Sequence, residues 1–128
     1  MSADVTVTVP AAPEFVRVVR FVAASVGAAM DLTYDRIEDL RLAVDEACDQ
    51  LLALPGDDAM LTVRVTPTGT GVRVFACTDA PASPGTWPPT GFQEGLAWRV
   101  LTGLADDVAF ELTDEGASVR MAVEGGGT

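Results

Sequence analysis

The sequence predicts an α+β fold: a two-layer α/β sandwich, order β-α-α-β-β-α-β-β, with helices on one face of a mixed, mostly antiparallel sheet. Three observations lead there. Short runs near the start and through the second half alternate apolar with polar residues, the period of half-buried strands. Two long stretches in the first half instead repeat apolar residues at three- and four-residue steps. Proline and glycine fall between these runs, where they punctuate elements without breaking them. Strands and helices so segregated pack as layers around one core.

Val5, Val7 and Val9 alternate with Thr6 and Thr8, so Asp4 to Val9 reads as a strand, closed by Pro10 and Pro13. From Glu14 the period becomes helical, with Phe15, Val18, Val19, Val22 and Val26 expected on the buried face. Gly27 and the Met30-Asp31-Leu32 stretch end this helix. Thr33 is an N-cap candidate with Arg36 at N3, so the capping box is incomplete. Asp35, Glu38 and Asp39 suit the positive end of the helix dipole. The set Ile37, Leu40, Val44, Ala47, Cys48 and Leu51 predicts a second helix of about five turns, stopped at Pro55-Gly56. Met60 to Thr66 is a strand, Pro67 to Gly71 a hairpin turn, and Val72 opens the next strand.

Asp79 to Gly91 is the one long loop and holds four of the chain's eight prolines, at 81, 84, 88 and 89. Loops of this length in compact domains are usually lids or binding segments. Phe92 to Ala105 reads as a third helix with Leu96, Val100, Leu101 and Leu104 inward. Asp107 to Thr113 and Ala117 to Val123 are strands on either side of the turn Asp114-Glu115-Gly116. Residues 1–123 are expected to form one domain without internal repeats, and the Gly-rich tail, Glu124 to Thr128, to be disordered.

The net charge is −11, and all eight cations are arginine. Without a basic stripe to displace counterions, nucleic acid is not an expected partner. No apolar run reaches the ~20 residues that span a bilayer, and Met1-Ser2-Ala3-Asp4 lacks both parts of a secretory signal. No membrane association and a cytoplasmic location are therefore expected. The absence of histidine excludes Ser-His-Asp chemistry and the usual zinc sites. The absence of lysine excludes a P-loop and a protein-kinase lysine. Cys48 and Cys77 sit in separate apolar runs without CxxC spacing. They read as buried, reduced thiols, with a regulatory disulfide as the other reading.

The most informative segment is LRLAVDEACDQLL, Leu40 to Leu52. Leu42, Glu46 and Gln50 stack at i, i+4 and i+8 on a face other than the buried stripe, so a carboxylate and an amide can reach one ligand. A solvated polar face accounts for the same pattern.

This segment resembles the N-box helix of the anti-sigma serine kinases, members of the GHKL (Bergerat-fold) ATPase superfamily. The resemblance implies that Glu46 activates the attacking hydroxyl and that Gln50 stands at the position of a Mg²⁺-ligating asparagine, with Leu42 and Gln50 among the cofactor-binding residues. FACTDAP, Phe75 to Pro81, resembles the box whose aspartate bonds the adenine amino group, which implies that role for Asp79. EGLAWRVLTGLADDVAFE, Glu94 to Glu111, resembles the second glycine box with its helix and strand, and Gly95 matches the first glycine. EFVRVVRFV, Glu14 to Val22, resembles the first helix, where Arg17 matches an arginine that contacts both protein partners; Arg20 lies one turn on. The likeness covers nearly the whole chain and is closest to short actinobacterial anti-sigma factors.

What it implies is a Bergerat-fold anti-sigma factor that sequesters an alternative sigma factor, is countered by an anti-anti-sigma protein of the STAS type, and forms a homodimer through the first strand and its neighbourhood. The alternative is an active kinase that uses ATP and Mg²⁺ to phosphorylate the anti-anti-sigma factor. A further alternative is a different small ligand under a lid formed by Trp87 and Pro88-Pro89, against which Trp87 and Trp98 read as plain packing.

The departures from the family pattern all fall on the nucleotide, so ATP and Mg²⁺ are expected to be bound weakly or not at all. Gln50 replaces the asparagine, and the chain contains no asparagine elsewhere. Glutamine reaches one methylene further, and Mg²⁺ tolerates geometry poorly. Pro81 and Ser83 stand where glycines would let the backbone approach adenine. Gly95-Leu96-Ala97 puts a β-carbon at the phosphate cradle. The loop between the boxes carries no cation.

Overall fold

The computed structural model describes residues 3–125. Its elements run β1 (Val5–Pro10), α1 (Pro13–Ala29), α2 (Tyr34–Leu52), β2 (Met60–Pro67), β3 (Gly71–Thr78), a 3₁₀ turn (Phe92–Glu94), α3 (Leu96–Leu104), β4 (Asp106–Thr113) and β5 (Gly116–Glu124). The strands form one five-stranded sheet in the order β1-β2-β3-β5-β4. Every pairing is antiparallel, so the parallel component of the expected mixed sheet is absent among the described residues. Glu124, expected to open the tail, is the last residue of β5. It pairs with Gly71, and its carbonyl accepts from Arg36 Nε at 2.8 Å. Residues 126–128 lie outside the described residues.

Alternation sets which sheet face is covered. Leu61, Val63 and Val65 of β2, Val72, Val74 and Ala76 of β3, and Ala117, Val119, Met121 and Val123 of β5 are buried in one apolar cluster with the helices. Gly116 makes the β4–β5 turn possible: its φ is +110°, and a β-carbon there would lie 2.3 Å from the Thr78 carbonyl oxygen.

On α1 the buried residues are Val16, Val19, Ala23 and Gly27; Val19 is buried as expected, and the others lie one position beyond the expected Phe15, Val22 and Val26. Phe15 and Val18, expected inside, are exposed, as is Phe21, at 73%. The helix carries apolar side chains around most of its circumference, so periodicity leaves the phase open. Packing selects the smaller set: a β-carbon on Gly27 would lie 3.0 Å from Leu40 Cδ2, and its absence lets α1 settle against α2.

The third helix also departs from expectation. Gly95 is extended (φ −86°, ψ 165°), so a 3₁₀ turn precedes it and α3 begins only at Leu96. The break resets the helical phase. Leu101 is buried as expected, but Leu96, expected inward, is 75% exposed.

Candidate functional site

The site is built on α2. Thr33 caps it, its hydroxyl oxygen accepting from the Arg36 backbone N–H at 3.2 Å. Leu40, Ala43, Val44, Ala47, Cys48 and Leu51 anchor one face in the core. Because 3.6 residues make a turn, this anchoring swings Leu42, Asp45, Glu46 and Asp49 off the core. They form one wall of a hollow of about 560 Å³; Arg99, Val100, Gly103 and Leu104 of α3 form the other.

The flank of α2 towards α1 opens on a second cleft, lined by Pro13, Val16, Arg17, Arg20, Asp45 and Asp49. Asp45 and Asp49 therefore border both spaces, as an acidic ridge between them. From α1, Arg20 Nη1 reaches Asp45 Oδ2 at 2.7 Å. Arg17 has no ion pair or side-chain hydrogen bond among the described residues. Burial, then the neighbouring Glu46 and Asp45 carboxylates, raise the Asp49 carboxyl above its ordinary range. The same ridge acts on Cys48, whose thiol is pushed up to about 12 by burial first, then by Asp45 and Asp49. Cys48 and Cys77 are both buried free thiols.

The structure brings together some of the residues singled out from sequence. Leu42 and Glu46 line the α2–α3 hollow. Gln50 sits one turn further along α2 and turns its amide back, Nε2 donating to Glu46 Oε2 at 3.1 Å. Asp79 lies at the end of β3, where its Oδ1 accepts from the Met60 backbone N–H at 2.7 Å, a bond that ties β2 to the following loop. Gly95 is the extended residue ahead of α3. Neither Asp79 nor Gly95 lines the hollow. Arg17 and Arg20 come together in the second cleft.

Three site residues escaped the sequence reading: Asp45, Asp49 and Arg99. The acidic pair was visible as an i, i+4 repeat beside Glu46, but such pairs also mark solvated faces. Arg99 carried no signal of its own, because its placement depends on where α3 begins.

The long loop is pinned in place. Trp87 is 1% exposed, and its indole Nε1–H donates to the Ser118 carbonyl at 3.2 Å. Its ring stacks on Phe110 at 5.2 Å with an interplanar angle of 1°. Phe92 stacks on the same ring at 5.0 Å, and Trp98 meets both phenylalanines edge-on. The lid reading of Trp87 is thereby corrected: its ring is core packing, because a buried indole with a satisfied N–H has no reason to leave.

Residues 9–123 match the histidine kinase-like ATPase domain. The chain belongs to that family. Among curated relatives, the anti-sigma-F factor RsbW of Mycobacterium tuberculosis is 37% identical over 108 residues, 81% of this chain and 59% of that protein. The serine-protein kinase RsbW of Bacillus subtilis is 52% identical over 40 residues, 31% of this chain and 25% of that protein. That of Halalkalibacterium halodurans is 44% identical over 48 residues, 38% of this chain and 30% of that protein. The chain thus spans about three-fifths of the length of the mycobacterial relative, which is 59% covered. Among the described residues no helix is long and apolar enough to cross a membrane.

Proposed function

We propose that this member of the histidine kinase-like ATPase family is an anti-sigma factor. It binds and sequesters an alternative sigma factor in the cytoplasm and releases it to an anti-anti-sigma protein of the STAS type. The observation that carries this reading is the outer face of α1. There Arg17, without an ion pair among the described residues, lies among exposed Phe15, Val18 and Phe21, an apolar surface bearing a guanidinium. Such a mixture is typical of protein interfaces. The similarity to the mycobacterial anti-sigma-F factor over 81% of the chain supports the assignment of partner. A homodimer through β1 completes the reading: β1 is an edge strand, and Val5 and Met60 are exposed beside it. The net charge of −11 argues against nucleic acid as a partner.

The test is chromatography of the purified chain with each alternative sigma factor of its host. A co-eluting complex that Arg17→Glu abolishes is expected. Failure to retain any of them overturns the reading.

The kinase alternative has one observation in its favour: Glu46 is present in the hollow. The family match supports ATP binding in general; the charge of the hollow weighs against a magnesium triphosphate held for transfer. Three carboxylates face the hollow against one guanidinium. Gln50 gives its amide N–H to Glu46 and reaches one methylene further than the asparagine it replaces. Asp79 is engaged by the Met60 backbone. Phosphoryl transfer depends on positioning and charge stabilisation, and three carboxylates against one guanidinium disfavour a polyanion there. The reading adopted is sequestration with release by competition, without nucleotide turnover.

A further inference from the structure

We propose that Arg20, which lies outside the α2–α3 hollow, is a positioning residue for nucleotide binding inside it: its guanidinium holds the Asp45 carboxylate to the α1 side, offsets that charge, and so lowers the barrier to a phosphate. The role presumes only that the hollow takes the nucleotide its family implies; the protein partner does not enter it. The volume of the hollow, about 560 Å³, is that of a small-ligand pocket.

A count of formal charge overstates how strongly the hollow repels an anion. Asp45, Glu46 and Asp49 face Arg99 across it. Two of these three carboxylates are already engaged. Arg20 Nη1 donates to Asp45 Oδ2 at 2.7 Å, and Gln50 Nε2 donates to Glu46 Oε2 at 3.1 Å. The two bonds differ in kind: the amide adds no charge, whereas the guanidinium cancels one. Arg99 has no carboxylate within ion-pair distance among the described residues, so its charge is left for a ligand. Asp49 is the remaining carboxylate, and burial, then Glu46 and Asp45, raise its carboxyl above the ordinary range. Charge left on Asp45 therefore adds to repulsion that is already present.

The placement of Arg20 is what suits it to this role. It projects from α1 and lines the α1–α2 cleft, not the hollow, while Asp45 borders both spaces. The guanidinium thus neutralises a wall carboxylate without filling the space a phosphate needs. The close approach of the two helices keeps it within reach, since a β-carbon on Gly27 of α1 would lie 3.0 Å from Leu40 Cδ2 of α2. Without Arg20, the Asp45 carboxylate stands uncompensated beside Glu46, its neighbour in the wall.

The test is calorimetric titration of the full chain with magnesium ATP, in a double-variant cycle at Arg20 and Asp45. The parent is expected to bind weakly but saturably. Arg20→Gln should weaken binding by about three- to tenfold, the scale of one uncompensated charge at a partly solvated wall. Asp45→Asn should bind at least as tightly as the parent, and Arg20→Gln in that background should change nothing. Arg20→Lys keeps the charge and should retain most of the affinity. Arg73→Gln removes the same charge from β3, beside a different cavity, and should leave the affinity of the parent. Weakening by Arg20→Gln that persists in the Asp45→Asn background would show a structural role only. Equal weakening by Arg73→Gln would show an effect of net charge alone. Either result overturns the assignment, as does the absence of saturable magnesium ATP binding by the parent. The sigma-factor complex and its dependence on Arg17 are measured separately, so either idea can fail alone.

Discussion

Arg20 Nη1 lies 2.7 Å from Asp45 Oδ2, and this contact joins α1 to the helix that carries the candidate site. Both side chains are about one-third exposed, at 29% and 33%, so solvent screens the pair. Exposed pairs of this kind contribute ~0.2–1 kcal/mol. Arg20→Ala and Asp45→Ala should each lower stability by about that much. The double variant should be less destabilised than their sum, and the coupling should fade at about 1 M salt. Urea unfolding of the four proteins at low and high salt measures it.

Trp87 predicts a larger effect. Trp87→Ala removes the indole from between Phe110 and the Ser118 carbonyl and leaves a void, at ~3–5 kcal/mol. Trp87→Phe keeps the stacking and loses only the N–H bond and some volume, so its cost should be about half as large or less. Thermal melts of both variants give the ordering. Equal melting temperatures for Trp87→Ala and the parent would show that the ring contributes nothing.

For pH dependence the sign follows from Asp49. Its carboxyl is raised in the folded chain by burial, Glu46 and Asp45, so the folded state holds that proton more tightly than the unfolded state. Its contribution therefore favours folding at low pH and is lost as pH rises through the folded value. Asp49→Asn should accordingly stabilise the chain near pH 7, by roughly a few tenths of a kcal/mol for so solvent-screened a group. The difference from the parent should shrink as pH falls through the carboxylate range. Denaturant midpoints across that range read the trend directly.

Two glycines predict opposite outcomes for the same substitution. At Gly103, inside α3, nothing stands within 4 Å of an added β-carbon, so Gly103→Ala should stabilise by ~0.5–1 kcal/mol through helix propensity alone. At Gly116, φ is +110° and the Thr78 oxygen would be 2.3 Å away, so Gly116→Ala should destabilise by about 1–3 kcal/mol or more. Chemical unfolding of the two variants side by side compares them.

The strands and α2 were legible in the sequence because each has a single apolar face, and alternation or a three-four repeat then admits one orientation. On α1 the legibility failed in phase, since Phe15 and Val18 compete with Val16 and Ala23, and only the proximity of Leu40 to Gly27 decides between them. At Gly95 it failed in continuity, because an extended glycine inside an apolar repeat looks like any other helical residue until its dihedrals are known. Trp87 depends on Phe110 and Ser118, which are remote in sequence. Within the site, Glu46 and Leu42 were visible through spacing on one helix. The position of Arg99 opposite them is set by how α3 packs on α2, which no local pattern encodes.

The chain holds two tryptophans, and both belong to one aromatic cluster around Phe110. Its intrinsic fluorescence is consequently a regional signal. Emission reports on the end of the sheet where β4 meets the proline-rich loop, and is silent about the α1–β1 margin; the exposed Tyr34, at the start of α2, adds only a weak absorber. A tryptophan signal that melts before the far-ultraviolet dichroism would locate the weakest cooperative unit at that end.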